Sequence, residues 1–156
     1  MHHQCHVVAN AAGVPQDAGV LRIILSASLA LLLAGCAVTG GLEHQAAPGA
    51  LGPYSGAVLT EDLIFISGKI GERGGEFDRE VETAIDAVEQ ELTAAGATLA
   101  DVVSVTVFFT SLDDYARFNE IYARRFAAPY PSRGVAAVAS LPGGARVEIQ
   151  AIAARP

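Results

Sequence analysis

The sequence predicts an α+β fold, a mixed β-sheet carrying two helices on one face. Three observations lead there. Apolar periodicity alternates between strand and helix in the order strand, strand, helix, strand, helix, strand, strand. Each helical stretch has a single apolar stripe, enough to cover one side of a sheet. No element remains for the sheet's other face, so that half-polar surface is expected to meet other copies of the chain.

The N-terminal part stands outside this pattern. Leu21 to Cys36 has one positive charge, a short apolar region and a small-residue site, Leu33-Ala34-Gly35-Cys36. That is too short and wrongly flanked for a spanning helix, and it fits a secretory leader with a lipobox whose Cys36 carries lipid. The plain alternative is a buried helix ending in an incidental cysteine. Met1 to Gly19 has no periodicity, which suits a true start near Val20. The expected organisation is a leader over 1–35, a flexible tether over 36–50 and a folded domain over 51–156. Ala37 after Cys36, lacking the Asp associated with inner-membrane retention, favours a periplasm-facing bacterial lipoprotein of the outer membrane. The lipid would then be its only membrane contact.

Within the domain, Gly52 to Gly56 reads as a turn. Ala57-Val58-Leu59 and Leu63 to Ser67 follow as a hairpin around Thr60-Glu61-Asp62. The second run is almost wholly apolar and predicts a central strand buried on both faces. It stops at Ser67-Gly68-Lys69, where small residues admit a ligand or another backbone. From Phe77, residues Val81, Ala84, Ile85, Val88, Leu92 and Ala95 fall at helical spacing. Acidic residues lead this helix and Gly96 stops it. Val102 to Thr110 predicts a strand with Val103, Val105, Val107 and Phe109 on one face. Ser111 to Asp114 has the form of a capping box. Tyr115, Phe118, Tyr122 and Phe126 then stripe a second helix, with Arg117, Arg124 and Arg125 on its solvent side. Pro129-Tyr130-Pro131 ends it.

Pro131 to Ala153 reads as a closing hairpin around Pro142-Gly143-Gly144. Pairing Leu141 with Arg146 would place Arg133, Glu148 and Gln150 on one face. Along the strand Arg133 would stand roughly 20 Å from Ala139, the partner of Glu148, at ~3.3 Å per residue. A small ligand held by both Arg133 and Glu148 would therefore lie between adjacent subunits.

Composition removes whole classes of chemistry. Without the leader and a lipidated Cys36, the domain has no thiol, and its one histidine, His44, lies in the tether. Metal sites of His and Cys and a Ser-His-Asp arrangement are excluded. The leader contains one basic residue, Arg22, and one acidic residue, Asp17, so the net charge of −7 persists in the rest. Such a chain repels phosphate backbones and is not expected to bind nucleic acid.

From about Pro48 to Ala154 the sequence resembles the Rid family (RidA/YjgF, reactive intermediate deaminases). The resemblance rests on Gly52-Pro53-Tyr54-Ser55, Phe65-Ile66-Ser67-Gly68, Ala94 to Ala97 before Asp101-Val102-Val103, and Phe118 to Tyr122. Pro131-Ser132-Arg133, Leu141-Pro142 and Val147-Glu148-Ile149 complete it. It implies a chorismate-mutase-like sandwich assembled as a homotrimer with ligand clefts between subunits. It also implies cofactor-free and metal-free hydrolysis of 2-imino (enamine-derived) acids, such as 2-iminopropanoate or 2-iminobutanoate, to 2-oxo acids and ammonia.

The residues suit that chemistry. Arg133 can hold a carboxylate with its planar fork, and Glu148 can hold or activate water. Tyr54, Ser67, Gly68, Lys69, Asn119 and Val135 are the expected pocket residues. Plainer roles stand beside these: an Arg133–Glu148 ion pair between subunits, packing for Tyr54, a strand-end cap for Ser67, and a hydrogen bond fixing a loop for Asn119. The sequence departs from the family's common residues at Gly56 and Lys69 (both Gln), Ala87 (Asn), Val135 (Cys) and Gln150 (an acid). A non-catalytic trimer binding a small carboxylate, or a structural lipoprotein domain, is the rival expectation. A ribonuclease fits poorly with the net charge.

Overall fold

A computed structural model of the chain describes residues 41–156. The expected leader and the lipidation site Cys36 lie outside the described residues. The strands are β1 (Glu43–Gln45), β2 (Ala57–Leu59), β3 (Leu63–Lys69), β4 (Val102–Phe109), β5 (Ser132–Ala137) and β6 (Val147–Ala154). The helices are α1 (Phe77–Ala94) and α2 (Tyr115–Arg125). The strands form one mixed sheet in the order β1-β2-β3-β6-β4-β5, with only β4 and β5 parallel. The α+β architecture is the one the periodicity predicts.

Alternation along the strands sorts the sheet into two faces. Ile64, Ile66, Val105, Val107, Phe109, Val147, Ile149 and Ala151 are buried in one core with the α1 stripe and with Phe118, Ile121 and Tyr122 of α2. No described element covers the opposite face, where Phe65 is 41% exposed. The expectation that β3 is buried on both faces therefore fails within one chain.

α1 ends as Gly96 predicts. Its φ of 77° lets Gly96 N–H bond to Thr93 O at 3.0 Å and Ala97 N–H to Leu92 O at 2.8 Å, a Schellman closure that satisfies two carbonyls. Other local expectations are corrected. Residues 43–45, placed in the tether, form the edge strand β1. It is held by backbone pairing to β2, which leaves no periodic side-chain signal. A register shift between Val102 and Ser104 turns Val102 inward and leaves Val103 47% exposed. Ser111 caps no helix and accepts only the Asp113 N–H. The capping box lies instead at Thr98 and Asp101, ahead of β4.

The largest correction concerns the closing hairpin. β5 and β6 do not pair. β6 inserts between β3 and β4, and β5 runs parallel to β4 on its far side. The Pro142-Gly143-Gly144 turn thus belongs to a connection that rounds the C-terminal end of β4, and the assumed Leu141–Arg146 register disappears.

An ion pair with a buried carboxylate fixes this connection. Glu80 of α1 is 1% exposed; its two oxygens accept the Arg146 backbone N–H at 2.6 Å and Nε at 2.7 Å, while Arg146 Nη2 donates to Gly75 O at 2.7 Å. The carboxylate therefore ties the start of β6 to α1 and to the preceding loop. Along the helix faces Arg117 bonds Asp78 and Glu120, and Arg125 bonds Glu82, Asp86 and Glu89. The arginines expected in solvent therefore clamp α2 to α1.

Glu80→Ala is expected to lower the unfolding free energy by about 2 kcal/mol, since the Arg146 N–H and guanidinium lose a charged acceptor. Urea denaturation at neutral pH measures it. A loss below about 1 kcal/mol would show that the clamp is dispensable.

Candidate functional site

β5 sits on the sheet edge with Arg133 opposite Val105 and Val135 opposite Val107, so both side chains project to the helix-bearing face. There Arg133 meets the face of α2 where Tyr115, Asn119 and Tyr122 fall at i, i+4 and i+7. Arg133 Nη2 donates to Asn119 Oδ1 at 2.7 Å and to the Tyr115 hydroxyl at 3.3 Å. Its guanidinium carbon lies 4.6 Å from the Tyr122 ring centroid. Neutral acceptors and a π face orient the cation, and no carboxylate of the described residues pairs with it. Nε and Nη1 make no hydrogen bond among the described residues, so part of the fork stays open. These side chains line a cleft of about 500 Å³ with Tyr130 and Val135.

Tyr122 has its hydroxyl buried and unpartnered, and burial pushes its pKa up to about 12 although Arg133 pulls the other way. The phenol therefore stays neutral beside the cation. Sequence reasoning reads Tyr115 and Tyr122 as core stripe and misses their contact with Arg133. The signal available was their heptad spacing around Asn119. Asn119 lines the same cleft and accepts a hydrogen bond from Arg133.

Glu148 belongs to a different place. It is the second residue of β6, opposite Phe108, and projects to the open face with Gln150. A second cleft, of about 430 Å³, is lined by Tyr54, Ser67, Gly68, Glu148 and Gln150. Ser67 Oγ donates to Ser55 O at 2.7 Å, which locks the turn bearing Tyr54 onto β3. Gly68 leaves open the space that the Glu148 side chain crosses: a Cβ there would lie 2.0 Å from Glu148 Oε1 in this position. Desolvation holds the Glu148 pKa above the ordinary glutamate value, which moves the carboxylate toward general-base range.

Lys69 does not reach Glu148. The shift between Ile66 and Lys69 turns its side chain toward α1, where Nζ meets Glu91 Oε1 at 2.5 Å. Val135 lines the Arg133 cleft and not the Glu148 cleft.

The structure thus divides the expected site residues between two clefts and corrects their assumed common face. Arg133 aligns with Ala151 through Val105, two strands from β6 and three residues from Glu148. Their Cα positions are separated by roughly 14 Å at ~4.8 Å per strand and ~3.3 Å per residue, with side chains on opposite faces. One chain cannot close both groups on one small ligand.

The family model described as Endoribonuclease L-PSP (Ribonuc_L-PSP) matches residues 44–155. The human 2-iminobutanoate/2-iminopropanoate deaminase is 40% identical over 114 residues, covering 69% of this chain and 83% of that protein. The crystal structure of RidA from an Antarctic Psychrobacter superposes with a TM-score of 0.67 at 35% identity, over 72% of this chain and 97% of the other. E. coli TdcF with bound serine gives a TM-score of 0.65 at 35% identity, over 74% of this chain and 98% of the other. The fold is that of the RidA/YjgF proteins.

If Glu148 must be ionised to work on water, activity should fall with acidity at a pH above the ordinary glutamate value of about 4.3. A kcat/KM–pH profile of wild type should show that limb, and Glu148→Gln should lose both the limb and most of the rate. An unchanged profile would remove Glu148 from the chemistry.

Proposed function

The chain belongs to the endoribonuclease L-PSP family, and on that premise we propose that it hydrolyses 2-imino acids to 2-oxo acids and ammonia. Water oxygen bonds to the imine carbon, the C–N bond breaks, and nitrogen leaves as ammonia with the protons of water. No cofactor or metal enters the balance. The observation that carries the reading is a part-open guanidinium with no acid partner, in a chain whose other described arginines are mostly paired with carboxylates.

Each group has a distinct task. Arg133 holds the carboxylate beside the C=N bond and sets its orientation, which supplies much of what a reactive imine needs. Glu148, raised in pKa, receives a proton from water. Gly68 and Ser67 leave the wall beside it narrow, and Tyr54 closes one side. Because Arg133 and Glu148 lie in separate clefts, this chemistry requires Arg133 of one chain beside Glu148 of the next. A homotrimer packed through the open sheet face, with the β5 edge reaching the neighbour's cleft, meets that requirement. Phe65, Val58 and Ile152 give that face its apolar surface. The human relative's name supports 2-iminobutanoate and 2-iminopropanoate as substrates.

The chain is further proposed to be a periplasm-facing lipoprotein held by lipid on Cys36, with an outer-membrane location. Globomycin-sensitive processing and loss of membrane fractionation in Cys36→Ala test this part. The family description also names a ribonuclease. With a net charge of −7 and arginines engaged by acids, the surface lacks the basic stripe that RNA needs. The remaining rival is a non-catalytic trimer holding a small carboxylate.

Ammonia release from imines made in situ by an amino-acid oxidase separates these readings. Wild type is expected to accelerate release. Arg133→Ala should lower kcat/KM by at least about a hundredfold, since a charge-assisted fork is lost, and Arg133→Lys should recover little of it. No acceleration by wild type would favour the non-catalytic trimer, and robust RNA turnover would favour the ribonuclease.

Assembly gives a second prediction. Wild type should sediment as a trimer, and Phe65→Asp, which places a charge on the open face, should yield monomers without activity. A wild type that sediments as a single chain would remove the shared site.

A further inference from the structure

A polar groove of about 300 Å³ adjoins the Glu148 cleft and shares Leu51, Tyr54, Gly68 and Ile70 with it. Lys69, Glu91 and Arg73 also line it. The Lys69–Glu91 pair is a built feature, with the two side chains 13% and 16% exposed. Gly56 leaves the space in which the Glu91 carboxylate sits, since a Cβ there would lie 2.5 Å from Oε1 in this position. Two of the departures noted in the sequence, Gly56 and Lys69, therefore meet at one carboxylate.

Arg73 leaves the groove with an excess of positive charge. Among the described residues its guanidinium bonds only the carbonyl of Gly143, with Nη1 to O at 3.3 Å, and no carboxylate pairs with it. Gly143, at a φ of 62°, leaves room for it: a Cβ at that position would meet Nη1 at 1.8 Å. The same turn carries Pro142, which lines the Glu148 cleft. Two cations thus face one acid in a groove that opens from the reacting end of the site. Lys69 is neutralised by Glu91, so the unmatched charge is that of Arg73.

We propose that this groove receives the side chain of the substrate and selects 2-imino acids that carry a second carboxylate. The inference rests on the imine-hydrolase reading and adds its substrate class. The distal carboxylate would meet a planar fork that no internal acid occupies, so binding displaces no existing ion pair. An apolar side chain would gain nothing from Arg73 and would leave its charge unmatched. The reaction is otherwise unchanged: water adds to the imine carbon and ammonia leaves, while the second carboxylate takes no part in bond making.

The test compares kcat/KM for imines generated in situ from aspartate and from alanine, with the full chain. Wild type should favour the dicarboxylic imine, and Arg73→Gln should lower the dicarboxylic-to-monocarboxylic ratio about tenfold or more, with Arg73→Lys restoring part of it. A ratio unaltered in Arg73→Gln would overturn the subsite while leaving the imine reading intact. If no imine is turned over, the imine reading fails, and calorimetry with 2-oxoglutarate and 2-oxobutanoate then decides the subsite alone. Preference for 2-oxoglutarate lost in Arg73→Gln would uphold it; equal affinities in wild type would overturn it.

Discussion

One constraint governs the rest of the structure: β6 lies between β3 and β4, and β5 lies outside β4. Given that order, strand alternation leaves no freedom. Arg133 aligns with Val105 and faces the helices; Glu148 aligns with Phe108 and faces away. The guanidinium is then oriented by α2, and the carboxylate by the β3 bulge at Gly68. A site using both would need two chains, as in the assembly proposed above.

Charge placement follows the same logic. Glu80 is deeply buried, and it is matched by two donors of Arg146, so the buried charge is paired and hydrogen-bonded at once. The helix-face arginines are matched by α1 acids, exposed pairs whose worth lies in joining two helices more than in any single bond. Against that background Arg133 and Arg73 stand apart, because each is held by neutral oxygens and has no acid partner among the described residues. Two such cations beside clefts support the carboxylate-binding roles proposed above.

The departures from the resembled family acquire physical content here. Gly56 and Lys69 are linked through Glu91, so they represent one rearrangement and not two. Gln150 remains on the open face two residues from Glu148, a neutral group where an acid would raise the Glu148 pKa further by repulsion. Val135 replaces a thiol with an apolar wall beside Arg133. None of these changes removes either group nearest the proposed chemistry.

What the residues themselves determined was local. Apolar periodicity set both helices and most strands, Gly96 set the end of α1 through its positive φ, and the aromatic spacing of α2 set its buried stripe. Arg133 and Glu148 were legible as candidates from the stretches that carry the family resemblance. Tertiary structure alone decided the pairing of β5 and β6, the turning of Lys69 toward Glu91, the inward exchange of Val102 for Val103, and the company of Tyr115 and Tyr122 around Arg133. Alternation along a strand tells which residues share a face but carries no record of which strand lies alongside. That choice is made by non-local burial against the helices, and a single bulge reverses every side chain beyond it.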